Sequence, residues 1–288
     1  MKSGILIIDK EKDMTSRDVV NIACKKLGTK KIGHTGTLDP IATGVLVLGV
    51  NDGTKIIDLL TSNDKVYQAE VEMGILTDTL DITGNVIEKK DVKITKEEIE
   101  QTLESFKGKY MQEVPKYSAV RVNGKRLYEY ARNDIEVELP KREVEIKDIF
   151  LIDFNDNKFI FQVHVSKGTY IRSLIRDIGE KLNIPMTMTN LRRIKQGIFD
   201  ISKSIKLDEI NEDKLISIKD ALDNYPKIEV DSLTEKKVRN GCKLNYKINN
   251  ITLVLNKDDE LLALYEPSNH IDIMKPYKVF KGVEDEKN

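Results

Sequence analysis

A loop dense in glycine and threonine carries the carboxylate with the clearest opportunity for chemistry. Residues 33–44 read GHTGTLDPIATG, with Asp39 near the centre. Glycine lets the main chain turn tightly and come close to a ligand, and the following Pro40 disfavours helical conformation at Asp39. The apolar runs at 4–10 and 44–50 predict buried strands that would hold the loop rigidly, as catalytic loops commonly are held. The alternative is that Asp39 only caps a following helix.

Two further segments carry side chains that could act with such a carboxylate. In SKGTYIRSL (166–174), Tyr170 and Arg172 stand at the start of an amphipathic helix. Arg172 lies off the apolar stripe, so it either pairs with a carboxylate or a phosphate or is an ordinary surface arginine. Tyr67 lies on the apolar face of an alternating strand over 65–73. It is therefore either a core residue or a platform on which a nucleic-acid base stacks.

Several other kinds of site are excluded because their motifs are missing. The sequence contains no P-loop and no G-x-G-x-x-G, G-x-S-x-G or H-E-x-x-H motif. The segment 153–164 begins with calcium-loop spacing, but Lys158 and His164 replace the glycine and the glutamate that such a loop needs. Two distant cysteines and three scattered histidines favour neither a disulfide framework nor a metal site. We therefore expect no bound metal.

The pattern of the remaining chain predicts an α+β fold with a mixed, largely antiparallel sheet. Helices are expected after Thr15 or Ser16, after Thr95, whose spacing to Glu98 is that of a capping box, and after Gly168. The turn at 155–157 predicts a hairpin. An acidic segment precedes Tyr225-Pro226, and short alternating strands follow it. We therefore predict two domains, residues 1–224 and a small β-rich domain at 225–288.

Composition limits the class of protein and its location. The chain has 288 residues, 40% of them hydrophobic, which supports a sizeable core and excludes wholesale disorder. No apolar run approaches the roughly 20 residues that cross a bilayer, and the N-terminus becomes charged too early for a secretory signal. These features predict a cytoplasmic protein that does not contact membranes.

Charge is distributed unevenly although the formal net charge is -1. Residues 105–132 hold seven basic side chains against two acidic, and residues 166–206 hold nine against three. Segregated basic segments of this kind are typical either of a face that binds a polyanion or of ordinary solvated surface.

The segment GHTGTLDPIATGVL closely resembles the catalytic-loop signature of the TruB family of pseudouridine synthases. Further family-like blocks follow the same order across residues 4–200: GILIIDKEKDMTS, DKVYQAEVEMGILTDTLDITG, VPKYSAVRVNGKRLYEYAR, SKGTYIRSLIRDIGE and NLRRIKQG. The C-terminal stretch resembles a PUA-type RNA-binding domain more loosely. The short N-terminus is closer to the stand-alone bacterial enzyme than to the guide-RNA-dependent relatives.

The resemblance implies a fold and a reaction. The fold would be a catalytic domain of pseudouridine synthase type followed by a PUA-like domain. The reaction would be isomerisation of uridine 55, in the T-arm loop of tRNA, to pseudouridine, after the base is flipped out of the stack. The family uses no cofactor or metal. We expect the chain to act as a monomer, without a guide RNA.

The resemblance also assigns roles to seven positions. Asp39 matches the essential aspartate, Arg172 the arginine that pairs with it, and Tyr67 the aromatic residue that stacks on the target base. Four positions match residues of the substrate pocket: His34, which helps hold the flipped-out conformation; Tyr170, beside the arginine; Leu191, an apolar wall; and Lys10, a basic residue near the site.

The chemistry and the function leave alternatives open. The reaction breaks the N1–C1′ bond and re-forms it from C5, and a carboxylate could serve as nucleophile at C1′ or C6, or as base at C2′. The same basic segments would suit an RNA-binding or RNA-folding protein that does not depend on catalysis, or an enzyme that acts on another RNA. The presence of Asp39, Tyr67 and Arg172 together favours the enzyme.

Overall fold

The computed structural model describes residues 2–61, 64–133, 135–270 and 272–280. The strands are Gly4–Lys10 (β1), Ile32–His34 (β2), Thr43–Val50 (β3), Lys65–Met73 (β4), Ile75–Thr77 (β5), Val86–Lys89 (β6), Gly108–Glu113 (β7), Arg121–Val122 (β8), Lys125–Arg126 (β9), Lys141–Asn155 (β10), Lys158–Val165 (β11), Met186–Gln196 (β12), Phe199–Asp200 (β13), Lys227–Glu229 (β14), Thr252–Leu255 (β15), Leu261–Pro267 (β16) and Met274–Val279 (β17). The α-helices are Ser16–Leu27 (α1), Ile57–Thr61 (α2), Lys96–Glu104 (α3), Leu127–Ala131 (α4), Ile171–Leu182 (α5), Ile218–Ala221 (α6) and Ser232–Arg239 (α7).

In the described part of the chain, one nine-stranded sheet forms the body of the protein. Its main path runs β1-β3-β12-β4-β11-β10-β7, with β2 beside β3 and β13 beside β12. The strands pair antiparallel, except that β3 and β12 run parallel at Arg192–Thr43 and Arg193–Gly44. The mixed, largely antiparallel sheet predicted from the sequence is therefore confirmed.

The strands β1 and β3 are apolar at nearly every position because both of their faces are covered. On one face, Leu6 and Leu46 join the large cluster that also contains side chains of α1, α3 and α5. On the other, Ile7 and Val47 join a second cluster shared with the C-terminal sheet. Burial on both sides explains why these strands show continuous rather than alternating hydrophobicity.

The strand β4 alternates between buried and half-buried residues, as its sequence predicts. Its odd-numbered positions from Tyr67 to Met73 point into the large cluster. The opposite face carries polar side chains such as Gln68, which bonds Gln162 of β11 at 3.2 Å. At β4 the sheet is thus apolar on the face towards α1, α3 and α5 and polar on the opposite face.

Helix starts follow the predicted capping chemistry. Thr15 caps α1 in a capping box with Asp18, and Thr95 caps α3 in a capping box with Glu98. The hairpin predicted at 155–157 joins β10 to β11. The third predicted helix, α5, begins after Tyr170.

A four-stranded sheet, β14-β15-β16-β17, forms the β-rich C-terminal region. The sequence did not predict α7, which packs on this sheet through the buried Val238. Leu253 and Phe280 lie in the cluster beneath β1 and β3, and Lys55 donates to the Val279 carbonyl at 2.8 Å. The two sheets therefore share a core. Among the described residues, no helix is both long enough and apolar enough to cross a membrane.

Candidate active site

Asp39 lies on the loop between β2 and β3, which its apolar neighbours anchor in the core. Leu38, Ile41 and Ala42 are buried. Ser16, buried at the start of α1, accepts from the Leu38 N–H at 2.9 Å and donates to the Leu38 carbonyl at 3.2 Å. The Asp39 side chain stays 36% exposed. No helix follows it before β3, so the helix-capping alternative is wrong.

Arg172 holds the Asp39 carboxylate from the first turn of α5. Its Nε lies 3.0 Å from Asp39 Oδ2. Nη1 donates to the Thr79 carbonyl and Nη2 to the Tyr117 carbonyl, both at 3.0 Å. The Arg172 side chain is only 7% exposed, so the surface alternative is wrong. Since its donors face three separate segments, the guanidinium orients Asp39 and has little freedom to move.

Asp81 is a second carboxylate beside Arg172, and the sequence analysis assigned it no role. Its Oδ2 lies 3.7 Å from Arg172 Nη1, and its side chain is nearly buried. Its Oδ1 accepts from the Thr83 N–H and from the Thr79 hydroxyl, both at 3.0 Å. The signal was the run TDTLDITG, whose threonines and aspartates are typical of a turn built on side-chain to main-chain hydrogen bonds.

One row of residues across the sheet links the loop to Tyr67. Lys10 of β1 pairs with Gly44 of β3, Gly44 with Arg193 of β12, and Arg193 with Tyr67 of β4. Neighbouring strands lie about 4.8 Å apart. The end of the Asp39 loop and Tyr67 are therefore two strands apart at the same level of the sheet.

Tyr67 and Leu191 point to the core side of the sheet. Both are buried, Tyr67 with 7% exposure. Leu191 of β12 pairs with Ala69, two residues along β4 from Tyr67. The Tyr67 hydroxyl has no hydrogen-bond partner in the part of the chain that the structure describes. The ring thus packs against the core cluster but keeps a small exposed part, and its hydroxyl is unpaired within the described residues.

Lys10 lies fully buried beneath the loop. Its Nζ donates to the carbonyls of Met14 at 2.7 Å, Glu11 at 2.8 Å and Pro40 at 3.2 Å. Burial lowers the pKa of Lys10 from 10.5 to about 8, although the nearby carboxylates of Asp13 and Asp39 oppose the shift. All three ammonium protons are thus used on main-chain oxygens, one of them adjacent to Asp39.

Arg193 is a buried cation that the sequence analysis did not single out. Its Nε donates to the Val45 carbonyl at 2.6 Å and its Nη2 to the Gly36 carbonyl at 3.3 Å. No carboxylate lies within ion-pair distance of it among the residues described. It therefore joins the start of the Asp39 loop to strand β3 through main-chain oxygens. The only hint in the sequence was its place in the NLRRIKQG block.

His34 ends β2 at the start of the loop. Its Nδ1 accepts from the Gly36 N–H at 3.3 Å. Burial, together with the charges of Arg193 and Arg17, lowers the pKa of His34. The lowered pKa favours the neutral ring, and a neutral ring whose Nδ1 accepts a hydrogen bond carries its proton on Nε2.

Tyr170 immediately precedes α5, two residues before Arg172. The Arg142 guanidinium lies 5.5 Å from the centre of its ring, a cation–π distance. Its main-chain N–H and carbonyl are both bonded to the side chain of Gln112. The main chain and the ring of Tyr170 are thus held by different residues.

Part of the first basic segment forms an exposed hairpin beside the site. The hairpin consists of β8 and β9 and follows Tyr117, whose carbonyl bonds Arg172. Its basic side chains have no ion-pair partners among the described residues and are exposed to solvent: Arg121, Lys125 and Arg126. Unpaired exposed cations next to a carboxylate site suit contacts with phosphates.

No group of three or more potential metal-binding side chains occurs in the described ranges. The incomplete calcium-like segment at 153–164 instead forms the turn of the β10–β11 hairpin and most of β11.

Comparisons with family models and known proteins find similarity over most of the chain. The model of the TruB family pseudouridylate synthase N-terminal domain matches residues 24–171, and that of the tRNA pseudouridylate synthase B C-terminal domain matches residues 172–227. A protein of Lactobacillus acidophilus named tRNA pseudouridine synthase B is 43% identical over 286 residues, covering 94% of this chain and 96% of the relative. A protein of the same name from Staphylococcus aureus is 44% identical, covering 97% of this chain and 100% of the relative.

The fold is similar to that of a chain in a solved H/ACA RNP bound to a substrate RNA containing 2′-deoxyuridine. The two are 25% identical, with a TM-score of 0.72, over 97% of this chain and 85% of the other. The two family models together span residues 24–227, and relatives above 40% identity cover nearly the whole chain. The chain therefore belongs to the TruB family of pseudouridylate synthases.

Proposed function

We propose that this chain isomerises uridine 55, in the T-arm loop of tRNA, to pseudouridine, and that Asp39 is its catalytic carboxylate. The observation that carries the proposal is the pairing of a one-third exposed Asp39 carboxylate with the buried Arg172. A carboxylate held in one orientation, with an open side, can meet a reacting sugar or base carbon in a fixed geometry. Membership of the family supports the same reaction.

The reaction needs no external electron or group donor. The N1–C1′ bond breaks, the base turns, and a C5–C1′ bond forms. The proton on C5 is lost and N1 gains one, so atoms and charge balance. Asp39 can add to C1′ or C6, or remove the C2′ proton, and each route uses one carboxylate. In every route Arg172 acts by holding that carboxylate in place.

Tyr67 and the pocket residues bind the displaced base. Flipping a nucleotide out of the stack costs a few kcal/mol, and stacking on one aromatic ring recovers roughly 1–3 kcal/mol. We assign this stacking to Tyr67, with Leu191 as an apolar wall. The unpaired Tyr67 hydroxyl can relay the proton that leaves C5. We assign His34 to holding the flipped-out conformation and Tyr170 to the pocket beside Arg172, and Lys10 fixes the loop at Pro40.

The hairpin of β8 and β9 is proposed to contact tRNA phosphates. Its exposed cations are free of intramolecular ion pairs within the described residues, so binding RNA breaks no salt bridge there. Each phosphate contact releases counterions and makes affinity depend on salt.

Four organisational features complete the proposal. We assign residues 1–224 to the catalytic domain and residues 225–288 to a PUA-like RNA-binding domain, near the end of the second family match at residue 227. We propose that the chain acts as a monomer and needs no guide RNA. The relatives that match nearly its whole length are named tRNA pseudouridine synthase B, without reference to a guide RNA, which supports the second point. These relatives also support action in the bacterial cytoplasm.

The decisive experiment uses the purified chain alone, without added metal or guide RNA. Its substrate is a T-arm stem-loop with tritium at C5 of the target uridine, and pseudouridine formation releases the tritium. We expect release by the wild type, and release below detection by Asp39→Asn with RNA affinity within about tenfold, or roughly 1.4 kcal/mol. Asp58→Asn, which removes an exposed carboxylate on α2, is the matched control and should retain full activity.

Two results would overturn the proposal. If the wild type bound the stem-loop without releasing tritium from any tRNA, an RNA-binding or RNA-folding function would replace it. Turnover by Asp39→Asn within tenfold of the wild type would remove Asp39 from the chemistry. Modification of another RNA in preference to tRNA, found by mapping total RNA, would change the substrate but not the reaction.

A further inference from the structure

The helix that carries Arg172 begins without the usual side-chain cap. The residue at the cap position of α5 is Tyr170, and its own side chain makes no capping hydrogen bond. Ser, Thr, Asp or Asn at this position would bond the free N–H groups of the first turn, and tyrosine cannot. The start of α5 must therefore be fixed in another way.

Gln112, on strand β7, fixes the cap residue itself rather than the free N–H groups of the first turn. Its Oε1 accepts from the Tyr170 N–H at 2.8 Å, and its Nε2 donates to the Tyr170 carbonyl at 3.2 Å. The same carbonyl accepts the first helical hydrogen bond, from the Leu174 N–H at 3.0 Å. One side-chain amide thus holds both main-chain groups of the residue at which α5 starts.

The surroundings leave the Gln112 amide one orientation. The side chain is fully buried, and Nε2 also donates to the Tyr110 hydroxyl at 2.7 Å, which in turn donates to Asp177 of α5 at 3.2 Å. Arg142, the cross-strand partner of Gln112, packs on the Tyr170 ring. The β7–β10 pair therefore fixes both the main chain and the ring of Tyr170.

We propose that Gln112 is a positioning residue for the active site, which sets the first turn of α5 so that Arg172 meets Asp39. Arg172 follows Tyr170 by two residues, and its guanidinium must reach oxygens on three separate segments at once. A shift at the helix start moves all three contacts together. The inference rests on the proposed function, because it concerns the geometry of that reaction.

The first test replaces Gln112 by methionine, which has similar length and volume but no hydrogen-bonding ends. Rates are measured in single turnovers with saturating enzyme, and affinity in a separate titration with the T-arm stem-loop. A misplacement near 1 Å can cost about 100-fold in rate. We expect Gln112→Met to slow the single-turnover rate by about 10- to 100-fold and to leave the Kd for RNA within about threefold.

A double-mutant cycle with Arg172→Lys separates positioning from a general structural role. Lysine cannot reproduce the forked contacts of arginine, so the Arg172→Lys enzyme has little of this geometry left to lose. If Gln112 acts through Arg172, Gln112→Met should slow Arg172→Lys by less than about threefold, because coupled residues are not additive. Equal fold-losses in both backgrounds would show that Gln112 acts elsewhere and would overturn the inference.

Two variants provide matched controls. Tyr110→Phe removes the hydroxyl beside Gln112 but leaves both bonds to Tyr170, and its rate should fall much less than that of Gln112→Met. Tyr265→Phe removes a buried hydroxyl that donates to the Cys242 carbonyl at 2.7 Å in the C-terminal region. It should lower the Tm without changing the single-turnover rate.

The outcomes distinguish this inference from the proposed function. Absence of turnover by the wild type would refute the function. Wild-type turnover with an unchanged rate for Gln112→Met would refute only the role of Gln112. If Gln112→Met does not fold, Gln112→Asn undergoes the same tests with the same criteria, because it keeps a buried amide that is one methylene too short to reach Tyr170.

Discussion

Gly44 stands where the Asp39 loop enters β3, and the structure gives two reasons why no other residue fits. Its φ is 97°, in the region that L side chains rarely adopt. A Cβ placed there would lie 2.2 Å from the Arg193 carbonyl oxygen and 3.0 Å from the Arg193 main-chain N and C. These are main-chain atoms of a central strand, so they cannot rotate away as a side chain would. Gly44→Ala must therefore push β3 from β12 at their parallel contact.

The magnitude follows from these two effects. A residue held in a sparsely populated backbone region costs about 1–3 kcal/mol, and the smaller conformational freedom of unfolded alanine returns about 0.4–1 kcal/mol. Relieving the overlap needs a shift near 1 Å, which weakens hydrogen bonds worth about 0.5–1.5 kcal/mol each. We expect Gly44→Ala to lower the free energy of unfolding by about 3 kcal/mol. Because Gly44 lies between Lys10 and Arg193 in the cross-sheet row, the Asp39 loop moves as well.

Gly28→Ala is the matched control, since Gly28 has a φ of 63° and nothing within 4 Å of the added Cβ. It should cost about 1 kcal/mol, from backbone strain alone. Urea unfolding of both variants measures the difference, and tritium release at a temperature where both are folded measures activity. Gly28→Ala should remain active, and Gly44→Ala should lose about 100-fold or more. Equal stability and equal activity of the two variants would refute the argument that close packing against Arg193 shapes the loop.

Three other predictions follow from the site and its surroundings. Tyr67→Phe should bind RNA normally and complete turnover very slowly, while Tyr67→Leu should also weaken binding by roughly 1–3 kcal/mol. Normal turnover by Tyr67→Phe would show that the hydroxyl relays no proton. A lower Tm with unchanged RNA affinity in Tyr67→Leu would show that Tyr67 is only a core residue. Log affinity for tRNA should fall linearly with log salt, and charge reversal at Arg121, Lys125 and Arg126 should decrease the slope by about one unit per lost contact. Charge reversal at Lys89 and Lys93, at the other end of β4, should leave the slope unchanged. A slope near zero in the wild type would mean that the basic hairpin is only solvated surface. Burial lowers the pKa of Lys10 from 10.5 to about 8, so between these pH values the unfolded chain holds a proton that the folded chain has released. The free energy of unfolding should therefore rise with pH, more steeply in the wild type than in Lys10→Met. Equal dependence on pH in urea unfolding of the two proteins would contradict the lowered pKa.

Local signals were sufficient to predict much of the architecture. The cap before α1, the capping box at Thr95, the turn at 155–157 and the alternation of β4 each depend on residues close in sequence. The continuous apolar character of β1 and β3 predicted burial, although not the second sheet that covers them. The helix α7 was not predicted because its sequence, SLTEKKVR, contains only one fully buried residue, Val238.

The contacts that organise the site could not be predicted from local sequence patterns. Arg172 meets Thr79 and Tyr117 across sequence separations of 93 and 55 residues, and Gln112 meets Tyr170 across 58. Nothing in the local pattern of β7 distinguishes Gln112 from a surface glutamine, since its role depends on which helix starts opposite it. The pairing of Asp39 with Arg172 could be anticipated only because the blocks that contain them resemble one family.

Two buried cations explain why the shape of the Asp39 loop is coupled to the stability of the fold. Lys10 and Arg193 lie beneath the loop, and main-chain carbonyls of the loop and of the adjoining strand are among their hydrogen-bond partners. A buried charge that loses its partners carries a large desolvation cost, and each hydrogen bond to a charged group is worth about 1.5–3 kcal/mol. Any loop conformation that turned the Pro40 or Gly36 carbonyl away would leave one of these cations less solvated. The charges therefore penalise alternative loop shapes, which keeps Asp39 opposite Arg172 before any substrate arrives.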